Sequence, residues 1–339
     1  MKRSINKIKI PKKKQLTAEA YFRAIKAGNR AVLSQAITLI ESSNPTHQKI
    51  AEALIELCLP FSGTAIRIGI TGVPGVGKST FIEALGTYLI QEKKKHIAVL
   101  AVDPSSKKTG GSILGDKTRM NNLAVNAEAF IRPSPSSGTL GGVAKATRET
   151  IILCEVAGFD TILVETVGVG QSEIEVKSMV DFFLLLMLAG AGDELQGIKR
   201  GIMEIADGIF INKADGDNII NAKLAIRAYK NALHLFPANE NNWIPKVSSC
   251  SAIKNEGIDE VWETIERFKN LTTLNGSFAK NRKQQSKFWL EHTINTSIQT
   301  QFYGNENVQR KLVELEDQVM NGKISPFKAA EELLKIYKS

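Results

Sequence analysis

Short apolar runs alternate with longer amphipathic stretches through the middle of the chain, from residue 63 to residue 270. Seven of these runs have the composition of buried strands and end at polar or glycine-rich positions. The predicted strands are residues 65–71, 97–103, 129–131, 161–165, 182–189, 208–212 and 246–248. Helical periodicity lies between several of them, as over 79–93 and 218–235. This alternation predicts a doubly wound α/β fold with a mostly parallel sheet, in which ligands bind at the carboxyl ends of the strands.

Helical patterns flank this central α/β region on both sides. Residues 16–59 contain periodic stretches that are interrupted at Gly28 and at 43–45. The predicted N-caps are Thr17, Asn29 and Thr46. The predicted packing face of the last stretch is Leu54, Ile55, Leu57 and Leu59. We therefore expect an N-terminal helical extension over residues 1–62, of which 1–15 are basic.

Strand signals stop after residue 270, and the rest of the chain reads as helix. Residues 278–339 predict two or three helices, with breaks near Gly304 and at Asn321 and Gly322. The expected domains are thus the N-terminal extension, a central domain over 63–270 and a C-terminal helical arm over 271–339.

The composition is that of a globular protein, with 43% hydrophobic and 23% charged residues. Three separated cysteines argue against a disulfide framework and for a reducing compartment, so we expect a cytoplasmic protein. The four histidines do not cluster and no CxxC occurs, which disfavours a structural zinc site. We see no secretory signal, and the strongest apolar run is too short to span a bilayer.

The formal net charge of +9 is concentrated partly in residues 1–14, which carry basic residues and no acid. Such a segment is either an arm for nucleic acid or membrane, or a solvated terminus. It contains no aromatic residue for base stacking and few apolar residues for insertion in a bilayer. We favour the solvated terminus and expect neither a nucleic acid nor a membrane as partner.

Residues 72–80 have the spacing G-x-x-x-x-G-K-[ST] and lie between a predicted strand and a predicted helix. Glycines let the backbone curl until its N–H groups surround an anion, and the next helix presents its N-terminus to the same anion. Lys78 is expected to contact the β- and γ-phosphates and Ser79 to bind Mg²⁺. A glycine-rich turn without a ligand is the alternative, which the strand–loop–helix order disfavours. The expected phosphate-binding residues are Gly72, Val73, Pro74, Gly75, Val76, Gly77, Lys78, Ser79 and Thr80.

An Asn-Lys-Ala-Asp sequence follows the sixth predicted strand, at residues 212–215. Asp215 can accept hydrogen bonds from guanine N1–H and the exocyclic amine, which adenine does not offer. We expect Asn212 to connect this loop to the phosphate loop and the Lys213 stem to lie over the base. A charged turn after a strand is the simpler alternative, but the position of the motif favours guanine recognition. After the next strand, backbone N–H groups that would face guanine O6 belong to Ser251, Ala252 and Ile253.

Further polar residues at the same edge are candidates for the metal and for the attacking water. Asp103 ends the second predicted strand, and Glu165 ends the fourth at the Walker B position. Asp116 is another candidate, with helix capping as its alternative role. We expect the Gly168 N–H to sense the γ-phosphate and Gln171 to orient water. The expected metal ligands are Ser79, Asp103, Asp116 and Glu165, and the expected catalytic residues are Lys78, Asp103, Glu165 and Gln171.

Two glycine-rich polar segments, 104–119 and 190–201, suit loops that order around magnesium and phosphate. Lys199 and Arg200 could stabilise charge in the transition state, and a solvated basic turn is an equal alternative. Because no residue stands out as a catalytic base, the pattern fits a slow GTPase that a partner accelerates.

Several long stretches resemble one family in particular. They are TGGSILGDKTRM at 109–120, FIRPSPSSGTLGG at 130–142 and ETVGVGQSE at 165–173, together with the phosphate loop and residues 212–215. They are similar to the methylmalonyl-CoA mutase-associated GTPases of the MeaB/ArgK/MMAA family, which are SIMIBI-class P-loop proteins. The resemblance covers nearly the whole chain after the first 15 residues.

This resemblance implies properties that the motifs alone do not show. Members are chaperones that gate adenosylcobalamin loading onto methylmalonyl-CoA mutase or a related acyl-CoA mutase. The implied cofactors are GTP/GDP and Mg²⁺, with adenosylcobalamin reached only through the partner mutase. The family also implies a homodimer built by the C-terminal arm, a switch at 190–201, and metal-shell acids at Asp103, Asp116 and Glu165.

Two other classes remain as alternatives. A metallochaperone GTPase of the nickel-delivery kind shares the Walker B glutamate, but that class normally carries a histidine-rich tract or a cysteine pair, which this chain lacks. A binding module without activity is disfavoured by the presence of Lys78, Ser79, Asp103 and Glu165 together.

Overall fold

The computed structural model describes residues 15–102, 120–133, 140–166, 172–189, 200–237 and 241–338. By its internal contacts the chain divides into two compact units, Met1–Phe278 and Ala279–Ser339. No helix in the described part of the chain has the length and apolar composition needed to cross a membrane.

The first unit is built on a seven-stranded sheet whose strands all run parallel, in the order β3-β2-β4-β1-β5-β6-β7. The strands are β1 Ile66–Gly72, β2 Ile97–Val102, β3 Ala129–Arg132, β4 Thr161–Thr166, β5 Phe182–Leu188, β6 Gly208–Asn212 and β7 Lys246–Ser249. The seven predicted strands are therefore confirmed, each end within one residue of its prediction. The doubly wound fold class is confirmed as well.

The helices of the first unit lie around this sheet, and several of them cover its strands, as parallel strands require. In chain order they are α1 Ala18–Lys26, α2 Arg30–Ile40, α3 Pro45–Cys58, α4 Lys78–Lys93, α5 Asn121–Val125, α6 Leu140–Val156, α7 Ser172–Lys177, α8 Arg200–Ile205, α9 Ile219–Leu233 and α10 Ile258–Leu274. The core beside β1 and β5 includes the fully buried Phe81, Leu85 and Phe182, with Trp262 from α10. Helix α4, which follows the phosphate loop, packs in this core.

The helical extension α1–α3 differs from its prediction in two details. Asn44, and not Thr46, caps α3: its Oδ1 accepts the N–H of Thr46 over 2.9 Å, and Pro45 takes the first helical position, where its missing N–H costs nothing. Leu59 was expected in the packing face but is 44% exposed, and the buried positions are Ala51, Leu54 and Cys58. Their i, i+3, i+7 spacing is the helical period, which Leu59 does not share.

Side chains near the two ends of α2 bind the outermost strand, β3, and form a brace between them. At one end of β3, the guanidinium of Arg30 donates to the backbone oxygens of Ala127 and Ala129, the latter over 2.8 Å. At the other end, Arg132 forms an ion pair with Glu41, just after α2. An edge strand presents unpaired backbone groups to other chains, and this brace occupies two of the oxygens on that edge.

The second unit consists of helices that pack on one another. Helix α11 is Ser277–Gly304, α12 is Glu306–Met320 and α13 is Pro326–Lys338. The small core contains Val308, Leu315, Ala329 and Leu333. The predicted breaks are confirmed: α11 ends at Gly304, and α12 ends before Asn321 and Gly322, where Gly322 has a φ of +66°.

Candidate functional site

The phosphate loop leaves β1 at Gly72 and enters α4 at Lys78, as its sequence predicts. Gly72 lies against β5 so closely that a Cβ atom there would stand 2.4 Å from the backbone oxygen of Leu186. Gly77 has a φ of +91°, which disfavours any side chain. The first turn of α4 therefore directs its free N–H groups and its dipole into the loop, which suits an anion.

The loop after β6 is joined directly to the phosphate loop. Asn212 is 2% exposed, and its Nδ2 donates to the backbone oxygen of Val76 over 2.8 Å. The Nζ of Lys213 donates to the backbone oxygen of Gly75, also over 2.8 Å. Two residues of the base loop thus fix two consecutive carbonyls of the phosphate loop.

Asn212 also reaches the loop after β7. Its Oδ1 accepts the N–H of Ala252 over 3.2 Å, and the thiol of Cys250 lies 3.7 Å from the same oxygen. One buried amide therefore connects three loops that are far apart in sequence. The structure brings Asn212, Val76 and Ala252 together, as one site would require.

The carboxylate of Asp215 is oriented by the third loop. Ser251 donates its hydroxyl hydrogen to Asp215 Oδ2 and accepts the N–H of Lys254 over 3.2 Å. Ser251 is itself held by a pair of backbone hydrogen bonds with Glu256, of 2.9 and 3.1 Å. Asp215 keeps further acceptor capacity, because an ionised carboxylate has about four lone-pair sites. In the same loop as Ser251, the side chain of Ile253 is 72% exposed.

The centre of the sheet carries the candidate metal residues. The Ser79 hydroxyl, at the start of α4, donates to Glu165 Oε1 over 3.4 Å. Glu165 is 5% exposed and stands opposite Ile70 in the β1–β4 register. Next to it, the Thr166 hydroxyl donates to the Thr71 hydroxyl over 2.9 Å, which joins the ends of β4 and β1.

Lys78 lies near the carboxylates of Glu165 and Glu173. Its Nζ donates to the backbone oxygen of Gly72 over 2.8 Å, so the side chain folds back over its own loop. Burial lowers the pKa of Lys78, while the nearby carboxylates of Glu165 and Glu173 act in the opposite direction. A partly buried ammonium group close to the loop N–H groups makes this end of the site strongly attractive to an anion.

Hydroxyl and carboxylate oxygens are the hard donors that Mg²⁺ prefers, and Mg²⁺ keeps several waters besides one or two protein ligands. The oxygens of Ser79 and Glu165 fit that requirement. Among the described residues there is no group of three or more histidine, cysteine and acidic side chains, which is the arrangement of an all-protein metal cage. The donor set present therefore fits magnesium held together with a phosphate.

Several predicted residues lie outside the described residues. They are Asp103, Asp116, Gly168 and Gln171, with most of the two glycine-rich segments at 104–119 and 190–201. Their expected roles stay predictions. Sequence reasoning missed Thr71 and Thr166, because a strand-end threonine carries no motif; only the parallel register of β1 and β4 places them side by side.

A parallel sheet with a phosphate loop after its central strand, joined to an Asn-Lys-Ala-Asp loop two strands away, defines a P-loop GTPase. The chain belongs to the family "Methylmalonyl Co-A mutase-associated GTPase MeaB", whose profile matches residues 33–307.

Other proteins are similar to this chain over nearly its full length. A probable GTPase of Mycobacterium bovis is 51% identical over 320 residues, which cover 94% of this chain and 95% of that protein. The mitochondrial methylmalonic aciduria type A homolog of Mus musculus is 43% identical over 337 residues, covering 96% of this chain and 81% of the relative. Among solved structures, an "LAO/AO transport system kinase" superposes with a TM-score of 0.77 at 40% identity, covering 96% of this chain and 99% of its own.

Proposed function

We propose that this GTPase is a chaperone that gates the loading of adenosylcobalamin onto methylmalonyl-CoA mutase or a related acyl-CoA mutase, and protects that enzyme. Two findings support the proposal: the family is named for its association with methylmalonyl-CoA mutase, and the mouse relative is named for methylmalonic aciduria. Adenosylcobalamin belongs to the mutase in this proposal. The chain itself binds GTP, GDP and Mg²⁺ and works in the cytoplasm.

Guanine recognition is assigned to the three joined loops. Asp215 accepts the N1–H and the exocyclic amine of the base, in the orientation that the Ser251 hydroxyl sets. The aliphatic stem of Lys213 covers one face of the base, and the exposed Ile253 covers the other. The observation that carries this assignment is the Asn212 bridge, which holds the base loop and the phosphate loop at one fixed separation.

Phosphate binding and hydrolysis are assigned to the loop and the strand ends around it. The backbone N–H groups of residues 73 and 75–80 surround the β-phosphate, and Lys78 exchanges its contact with Gly72 for the β- and γ-phosphate oxygens. We expect Asp103 and Gln171 to position the attacking water. A bound Mg²⁺, held by Ser79 and Glu165 with Asp103 and Asp116, would neutralise the negative charge that develops on the phosphates.

The oligomeric state is proposed to be a homodimer formed by the C-terminal unit. Along α11, the side chains of Leu290, Ile294 and Ile298 recur every four residues and are 62%, 48% and 54% exposed. Such a row lies on one side of a helix, and burial of each side chain contributes about 1.5–3 kcal/mol. A second copy of the same helix is the occupant that this row suits.

The experiment that tests the function is GTP turnover by the purified protein, alone and with the acyl-CoA mutase apoenzyme from the same organism. We expect slow basal turnover that rises severalfold with the mutase. The Lys78→Ala variant should lose both the basal and the mutase-stimulated turnover, because no lysine charge then stabilises the γ-phosphate. A basal rate that ignores the mutase would overturn the chaperone proposal and leave the GTPase intact. Turnover retained in Lys78→Ala would remove Lys78 from the site.

A further inference from the structure

Helix α9 leaves the guanine loop with an unusual composition. It follows the turn Gly216–Asn218, and its fifteen residues include no aspartate or glutamate. Its start is tied to the base motif, because Asn218 Nδ2 donates to the backbone oxygen of Lys213 over 2.8 Å. Any force on this end of the helix therefore acts directly on a residue of the guanine loop.

The two sides of α9 differ sharply. One side packs on β6 and β7 and buries Ala222 and Tyr229, which are 1% and 3% exposed. The opposite side presents Ile220 and Leu224, which are 71% and 57% exposed and stand one turn apart. Large apolar side chains that neighbour one another at this exposure are stabilised when a partner covers them.

Positive charge lies along one flank of this apolar pair. The exposed residues Lys223, Arg227 and Lys230 lie along the same side of α9, at helical spacings of three and four residues. Within the parts of the chain that the structure describes, none of the three lies in an ion pair. We call this surface the α9 face: Ile220, Lys223, Leu224, Arg227 and Lys230.

The chemistry of the α9 face selects one kind of partner. Its side chains include no aromatic residue for stacking on bases, and two apolar residues are too few to anchor a helix in a bilayer. Apolar side chains bordered by charged ones are typical of a protein–protein interface. The charges are all of one sign, so the complementary surface is acidic, and opposite potentials would speed and orient its approach.

We propose that the α9 face is the docking surface for an acidic face of the client mutase, placed where docking acts on the guanine loop. This inference rests on the proposed chaperone function. The mechanical link is short: mutase contact on α9, the bond from Asn218 to Lys213, and the bond from Lys213 to Gly75 of the phosphate loop. Contact with the client is thus communicated to the nucleotide without movement of the sheet.

The test uses a charge-reversed variant, Lys223→Glu with Arg227→Glu, and a matched control, Lys49→Glu with Lys269→Glu on α3 and α10. Mutase binding is measured by calorimetry at low and high salt, and GTP turnover is measured with and without mutase. We expect the reversed variant to bind the mutase at least 10-fold more weakly, to lose the stimulation of turnover and to keep its basal rate. The control should behave as the unmodified protein does.

A second variant separates the apolar pair from the charges. Ile220→Ser with Leu224→Ser should weaken mutase binding to a similar degree while the salt dependence of binding is retained. Unchanged circular dichroism and an unchanged Tm would show that both variants are folded, since all four side chains face solvent.

The outcomes distinguish the two proposals. If the unmodified protein binds no mutase, the chaperone function and the docking surface are both overturned. If it binds, and the reversed variant binds equally well, only the docking surface is overturned. Dissociation of a dimer by the reversed variant in sedimentation, or loss of binding to a single-stranded RNA, would assign the α9 face to a second copy or to nucleic acid and would also overturn the inference.

Discussion

The side chain of Asn212 fixes the position of Val76: its amide nitrogen donates to the Val76 backbone oxygen over 2.8 Å, although the two residues are 136 positions apart. Both residues are buried, at 2% and 0% exposure, so neither partner can be rescued readily by water. The position of the base loop against the phosphate loop therefore depends on this buried amide, together with the exposed contact from Lys213 to Gly75.

Replacement of Asn212 by alanine should be costly. The backbone groups of Val76 and Ala252 would lose their partner, and each buried unsatisfied group costs about 1–3 kcal/mol. We expect the variant to unfold at a lower urea concentration. Its affinities for GTP and GDP should fall by similar factors, as measured with a fluorescent nucleotide. The exposed Asn270→Ala on α10 is the control. An Asn212→Ala variant with unchanged affinity would show that the loops hold their positions without this bridge.

Base selectivity should follow Asp215. The Asp215→Asn variant presents a donor to the guanine amine. Its affinity for GTP should therefore fall at least 10-fold, while its affinity for xanthosine triphosphate should rise. Ser251→Ala should lower the affinity for GTP about 2- to 10-fold, because one hydrogen bond that orients Asp215 is lost. Competition titrations against a labelled nucleotide measure both effects. Asp217→Asn, two residues along in an exposed turn, should leave selectivity unchanged; a selectivity that is equally unchanged in Asp215→Asn contradicts the assignment.

The brace on β3 predicts a stability defect without a catalytic one. Arg30→Ala leaves the oxygens of Ala127 and Ala129 without their donor, which should lower the free energy of unfolding by about 1–3 kcal/mol. It also frees these two oxygens at the sheet edge, so light scattering on mild heating should rise earlier. Arg23→Ala, on the exposed side of α1, is the control. Equal scattering from both variants would show that the brace does not protect the edge.

The three cysteines should be inert in the folded protein. All are free and buried, and burial raises the pKa of the Cys58 thiol to about 11 and that of Cys250 to about 12, and raises the pKa of Cys154 as well. Since the thiolate is the reactive form, a thiol reagent at pH 8 should modify none in the native state and three in urea. Rapid native labelling of Cys250 would reveal opening of the loop after β7.

One carboxylate makes stability depend on pH in a defined direction. Burial opposes ionisation of Glu260, but hydrogen bonds from Lys246 and Ser248, together with the Lys246 charge, lower its pKa below the usual value. A lowered pKa in the folded state adds stability above the unfolded pKa of about 4.3, and this stability disappears as the pH falls through the folded pKa.

The Glu260→Gln variant should therefore be less stable than the unmodified protein at pH 7 by under about 1 kcal/mol, a small value because the carboxylate is 41% exposed. The difference should shrink as the pH falls below about 4. Urea unfolding at several pH values measures it, with Glu263→Gln on the same helix as control. A difference that grows in acid would contradict the assigned pKa direction.

Local patterns were enough to predict the strands, because a buried parallel strand is an uninterrupted apolar run with polar ends, and all seven were predicted to within one residue. They also placed the phosphate loop and the guanine loop, whose residue types follow from their ligand. Errors occurred where neighbours compete for one role, as when Asn44 and not Thr46 capped α3.

Long-range side-chain pairs had no signal in the sequence. The contact of Ser251 with Asp215, that of Thr166 with Thr71 and the brace from Arg30 to Ala129 join residues 36, 95 and 99 positions apart. Neither periodicity nor motif spacing relates such residues, because their proximity depends on the order of strands in the sheet. Strand order places β3 at one edge and β7 at the other, and a single sequence does not state it.

The brace from α2 to β3 has a consequence for how the chain is made. Arg30 leaves the ribosome 99 residues before the carbonyl it will bind, so α1–α3 can form their own contacts while the strands are still being synthesised. When β3 emerges, a preformed helix is available to bind its outer edge. During translation the extension would then protect the edge of β3 in the interval when a neighbouring nascent chain could add a strand to it.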